Sequence, residues 1–175
     1  LNAYFYANRI RDALVREGFS EVLTSSFQKE GVFAVENPLA EDKGFVRKDL
    51  ATGIGQALVL NARNAPLLGL DDIKIFEVGT AFPKVMDEQL LCAIGVELTK
   101  TGKKKEGATD EALKRVRGVI EEVLGVSIEG VFTANIFEFN LGVLLEKLPE
   151  PKTNTPFVSV NTRYMKISPY PFVLR

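Results

Sequence analysis

The sequence predicts an α+β domain, an antiparallel or mixed sheet with helices on one side of it. Three observations predict this. Stretches rich in β-branched and aromatic residues, at 21–27, 32–37, 71–83 and 90–99, are separated by stretches with helical spacing of apolar residues. The extended stretches fall as adjacent pairs, without the regular strand-helix alternation of a parallel sheet. The glycine-rich "GIGQA" at Gly53 lies within a helical pattern and lacks the third glycine, so it is no dinucleotide-binding turn.

In chain order, Ala3, Tyr6, Ala7, Ile10, Ala13 and Leu14 share one face of a helix over 3–17, which Gly18 stops with Phe19 folded back on the last turn. The opposite face carries Tyr4, Asn8, Arg11 and Val15 in a line, with Phe5 nearby, which reads either as scattered exposed apolars on a surface helix or as a face that meets a partner helix. Two strands follow, the second ended by Pro38. Asp49 then offers a cap to a helix whose buried stripe is Leu50, Ile54, Ala57, Leu58 and Ala62, and "APLLGLDD" reads as the turn after it. The strand "DIKIFEVGTAFPK" closes at Pro83, and the apolar run 90–99 is central in the sheet. Thr109 or Asp110 caps a helix with Leu113, Val116, Ile120, Val123 and Leu124 inward, ended by Gly125. "VFTANIFEFNL" is a strand or strand pair, and "GVLLEKL" a short helix. Residues 1–148 are thus expected to form a core domain, and the proline-rich 149–175 a linker with an extended end. The chain starts inside a helical pattern and stops in an extended one, as an excised piece of a longer protein would.

Composition excludes several classes of function. Of 175 residues, 22 are Lys or Arg and 23 Asp or Glu, so no global charge grips a polyphosphate. Lys103, Lys104 and Lys105 have no interleaved aromatic for base stacking and read as a loop tip. There is no histidine, which removes the usual neutral-pH acid/base, any triad built on it, and the commonest metal ligand. The single Cys92 lies in the apolar run "LLCAIGV" and reads as a buried hydrophobe, in a protein expected in the reducing cytoplasm. No apolar stretch approaches the roughly 20 residues that cross a bilayer. The acidic pairs Glu41-Asp42, Asp71-Asp72 and Glu121-Glu122 point apart and belong on the surface. Arg47, between a strand and a helix cap, is placed to hold a carboxylate.

Four stretches, "IRDALVREGFSEVLTSSF", "VENPLAEDKGFVRKDLATGIGQALVLNARN", "IKIFEVGTAF" and "KISPYPFVLR", resemble in that order the central region of the bacterial phenylalanyl-tRNA synthetase β chain. The most specific parts are Asn37-Pro38-Leu39, Arg47 with Leu50, and Phe76-Glu77-Val78-Gly79. The resemblance implies a fold like the class II aminoacyl-tRNA synthetase core, without a working active site. It implies packing against the catalytic α chain of an α2β2 assembly through the first helix, so Tyr4, Phe5, Asn8, Arg11, Val15 and Phe19 are the expected interface. It further implies ATP and magnesium for the holoenzyme and none in this piece, tRNA contact through other β-chain domains, and 149–175 as the lead-in to one of them.

Where the second class motif places an arginine against ATP, the chain has Glu77, which repels a triphosphate. Glu77 is therefore expected to be a structural carboxylate, paired with Arg47 or Arg63 or accepting backbone hydrogen bonds. The third motif keeps a strand and helix in "FEFNLGVLLEKL" but not its arginine. Two other readings remain: a free-standing paralogue that activates an amino acid, with Arg47 as its phosphate grip, and an autonomous homodimerisation module.

Overall fold

The structure, a computed structural model, describes residues 2–98 and 107–151. Lys103 to Lys105 and the lead-in beyond Pro151 lie outside the described residues.

Helix α1 (Asn2–Arg16) buries Tyr6, Ala7, Ile10, Ala13 and Leu14. Gly18, at φ 84°, lets the chain reverse, with Gly18 N–H bonding Val15 O at 3.1 Å and Phe19 N–H bonding Leu14 O at 3.0 Å. Strand β1 (Ser20–Glu21) is short. The expected strand over 21–27 breaks because Thr24 turns its N–H and hydroxyl to Glu77, and the chain leaves the sheet there. Strands β2 (Phe27–Gln28), β3 (Phe33–Ala34) and β4 (Phe45–Val46) form a small separate sheet in the order β2-β4-β3.

Helix α2 (Ala51–Leu68) runs on through Pro66, where a turn was expected. In the last turn the ring removes only one ladder bond. Gly69, at φ 65°, then ends the helix, with Leu70 N–H bonding Ala65 O at 3.0 Å.

Strands β5 (Asp72–Lys84) and β6 (Asp87–Leu98) form a long hairpin, whose register slips between Ala81 and Lys84 so that Pro83 needs no ladder partner. Helix α3 (Ala108–Leu124) starts from Gly107 at φ 84°; Thr109 and Asp110 lie inside its first turn rather than capping it. Strands β7 (Gly130–Thr133) and β8 (Ile136–Asn140) are the expected pair. The Asn140 side chain accepts from Val143 N at 3.0 Å and starts α4 (Leu141–Glu146).

The main sheet runs β1-β5-β6-β8-β7, antiparallel except for the parallel pair β1–β5. Helices cover both of its faces, not one. On one face Phe76, Val78, Cys92, Ile94, Val96, Phe137 and Phe139 meet α1, α3 and α4. On the other, Ile73, Ile75, Ala81, Leu91, Ala93 and Ile136 meet Leu50, Ile54, Leu58 and Ala65 of α2. The continuous apolar run in β6 reflects this double burial. Gly95 lets α2 approach: an added Cβ would lie 2.6 Å from Ile54 Cγ2 and 2.8 Å from Leu58 Cδ1. Gly95→Ala is expected to cost about 1–3 kcal/mol by overpacking, read as a lower urea midpoint at unchanged m-value.

Candidate functional site

Strand alternation aims odd-numbered β5 residues at α2, so Glu77 points into that face with Ile73 and Ile75. The register places Glu77 opposite Ala93, and Ala93 opposite Glu138, one row across three strands. Two carboxylates thus flank a small residue on the face that α2 covers.

Glu77 is 1% exposed and Arg47 6%. Arg47 Nη1 donates to Glu77 Oε1 at 2.7 Å, while Glu77 Oε2 accepts from Thr24 Oγ1 at 2.6 Å and Thr24 N at 3.2 Å. Arg47 Nε donates to the Thr80 carbonyl at 2.7 Å. The backbone of Arg47 is fixed as well, its N–H on Ser26 O and its carbonyl on Phe82 N–H. Two glycines open the space. A Cβ at Gly79 would fall 2.6 Å from Arg47 Nη2, and one at Gly53 would overlap the Thr24 side chain. The guanidinium and carboxylate satisfy one another and leave no buried side-chain polar atom unpaired among the described residues.

At the other end of the row, Glu138 accepts from Leu50 N and Ala51 N, both at 2.8 Å, and so ties the start of α2 to the sheet. Asp49 adds a bond from Thr52 N at 2.8 Å. Burial pushes the Glu138 carboxyl above its ordinary value, the two backbone N–H groups pull it down, and nearby Asp49 pushes it up again. A groove of about 350 Å³ lies beside it, lined by Asp49, Thr52, Val131, Thr133 and Ile136.

The raised folded-state pKa makes a pH prediction. The folded chain holds this proton more tightly than the unfolded chain, so the stability Glu138 contributes is present below the unfolded value of 4.5 and fades as pH rises through the raised value. Glu138→Gln is expected to remove that slope from unfolding free energy measured between acid and neutral pH.

The residues expected at a partner surface separate. Tyr4 is 53% exposed and Val15 59%. Arg11 is engaged, its Nε donating to Glu21 Oε1 at 2.7 Å and its Nη1 to Asn8 Oδ1 at 3.3 Å. Phe5 is half-buried, edge-on to Tyr6 at 5.1 Å. Phe19, expected at the interface, is a core residue instead at 6% exposure, drawn in by the reversal at Gly18. Sequence reasoning missed Leu23, which is 87% exposed two residues beyond the Glu21 that Arg11 holds. It also missed Thr24 and Glu138. The position of Glu138 between Phe137 and Phe139 in a strand was the available signal, the same that singled out Glu77. Arg63 does not reach Glu77; it is exposed on α2 beside Val59 and Leu60. Cys92 is fully buried, and burial pushes its thiol far above the ordinary range.

Among the described residues no cluster of three or more His, Cys, Asp or Glu is placed to hold a metal, and no helix is long and apolar enough to cross a membrane. The two carboxylates of the row serve charge neutralisation at Glu77 and helix anchoring at Glu138.

Three comparisons bear on this geometry. The family model described as phenylalanyl tRNA synthetase beta chain CLM domain matches residues 2–128. The phenylalanine–tRNA ligase beta subunit of Geobacter sulfurreducens is 31% identical in a match covering 66% of this chain and 17% of that protein. The chain thus spans about a sixth of that relative's length. Two structures of pyrrolysyl-tRNA synthetase from Desulfitobacterium hafniense share the fold. One superposes with TM-score 0.59 at 17% identity over 82% of this chain and 66% of its own. The other gives 0.60 at 16% identity over 83% and 68%. At such identity the likeness carries the class II synthetase fold alone.

Proposed function

The chain belongs to the family of phenylalanyl-tRNA synthetase β-chain CLM domains, and from that membership we propose that it is a synthetase-like scaffold, without chemistry of its own, that packs on the catalytic α chain during aminoacylation of tRNA with phenylalanine. One observation carries the reading: the arginine that the enzyme alternative needs as a phosphate grip is committed to Glu77 and the Thr80 carbonyl and is 6% exposed. A triphosphate brought to Arg47 would displace Glu77 and leave a buried carboxylate unpaired, at a cost of several kcal/mol. On this reading ATP and magnesium belong to the α chain rather than to this face, and the chain works within a cytoplasmic α2β2 enzyme.

Exposed Tyr4 and Val15 on α1, with Leu23 beyond β1, support the packing role. The Arg11–Glu21 ion pair sets the α1 stripe beside this sheet edge, so the three apolar groups flank a polar pair. Sedimentation of the chain with and without purified α chain tests the proposal. A complex with the α chain is expected; a stable dimer of the chain alone, unaffected by the α chain, favours the homodimerisation reading and overturns this one.

A further inference from the structure

We propose that the outer face of α2 is a second docking surface, occupied in the assembled enzyme by an amphipathic helix that places a carboxylate on Arg63. Helix α2 is apolar on both sides. Its inner stripe, Ile54, Leu58 and Ala65, is buried on the sheet. Directly opposite, Gln56, Leu60, Arg63 and Leu67 follow one another at steps of four, three and four residues, with Val59 beside them, and all are exposed. Val59 is 57% exposed, Leu60 61% and Leu67 85%, and a groove of about 400 Å³ runs along this stripe from Gly55 to Arg63. A helix that exposes large apolar groups opposite its buried stripe has a face for a partner to cover.

The spacing identifies the occupant's form. Positions at steps of three and four along a helix make the seam of a helix pair, and here Gln56, Leu60, Arg63 and Leu67 alternate polar and apolar groups over about three turns, or roughly 16 Å. Charge identifies its chemistry. Arg63 is the only charged residue in the sequence of α2 and has no ion pair among the described residues, so the complementary helix carries one acid within an apolar stripe. A second copy meets this need poorly, because α2 offers no acid to another α2.

The inference rests on the packing role proposed above, and the test separates the two. Val15→Cys, Leu60→Cys and, as a control on the β5–β6 turn, Val85→Cys are each labelled with a maleimide in the chain alone and in the assembled α and full-length β enzyme; buried Cys92 stays silent. Labelling at position 60 at least tenfold slower in the enzyme, with position 85 unchanged, is the expected result. Protection at 15 without protection at 60 overturns the second surface and leaves the packing role intact; protection at neither overturns both. Slow, concentration-dependent labelling at 60 in the chain alone points to a second copy and also overturns the proposal. An Arg63→Lys variant treated with a carbodiimide is expected to form one zero-length cross-link, to an acid flanked by apolar residues three or four positions away. No cross-link in an enzyme protected at position 60 would overturn the carboxylate pairing.

Discussion

Glu77→Gln is expected to destabilise the chain by about 3–5 kcal/mol, because it leaves the Arg47 guanidinium buried beside a neutral amide. A carboxylate 1% exposed, holding Arg47 at 2.7 Å and two Thr24 donors, has no solvent to replace its partner. The change is isosteric, so packing is retained, and the loss reports the charge together with the acceptor that an amide nitrogen cannot offer to Arg47 or Thr24. Denaturant unfolding measures it. An effect below about 1 kcal/mol would mean that water reaches the pair and that Arg47 is free to turn elsewhere.

The second large effect is on assembly. Val15→Glu combined with Leu23→Glu is expected to weaken binding to the α chain by about 2 kcal/mol per site, a factor of about 30 each in Kd. Both side chains point away from the core, at 59% and 87% exposure, so folding should be unchanged. Titration calorimetry of the double variant against the α chain, with thermal unfolding as the control, reads both quantities. Binding within about threefold of the unaltered chain would remove α1 and the β1 edge from the interface.

Much of the fold was legible because apolar spacing is local. The stripes of α1 and α3 lay in the sequence at steps of three and four, and Gly18 and Gly125 do adopt the positive φ that ends a helix. What sequence could not carry was decided by distant partners. The strand expected over 21–27 breaks at Thr24 because its hydroxyl meets a carboxylate 53 positions away. Helices on both faces became visible only when β5, β6 and β8 were in register, though the unbroken apolar run of β6 hinted at it.

The same holds for the site. Glu77 stood out as one acid in an apolar strand, and Arg47 as a cation between strand and helix. Choosing between Arg47 and Arg63 required the sheet, which turns Glu77 toward the small β-sheet and leaves Arg63 on the far side of α2. Glu138 went unnoticed because its partners, Leu50 N and Ala51 N, are backbone groups that every helix start exposes. Phe19 was misassigned because a helix-terminal phenylalanine looks the same whether it folds onto a core or onto a neighbour.

The most direct test of the scaffold claim is aminoacylation by an assembled enzyme carrying Arg47→Met with Glu77→Leu. Removing both charges avoids the buried unpaired ion, and the remaining cost, about 1–3 kcal/mol per group, comes from the Thr80 carbonyl losing its donor and the Thr24 N–H and hydroxyl losing their acceptor. Thermal unfolding and sedimentation establish that the variant is folded and assembled before its rate is read. A kcat/KM within about twofold of the unaltered enzyme is the predicted result. A folded, assembled enzyme slowed by about 100-fold or more, a barrier rise of about 2.7 kcal/mol, would contradict the account and make the pair part of the chemistry.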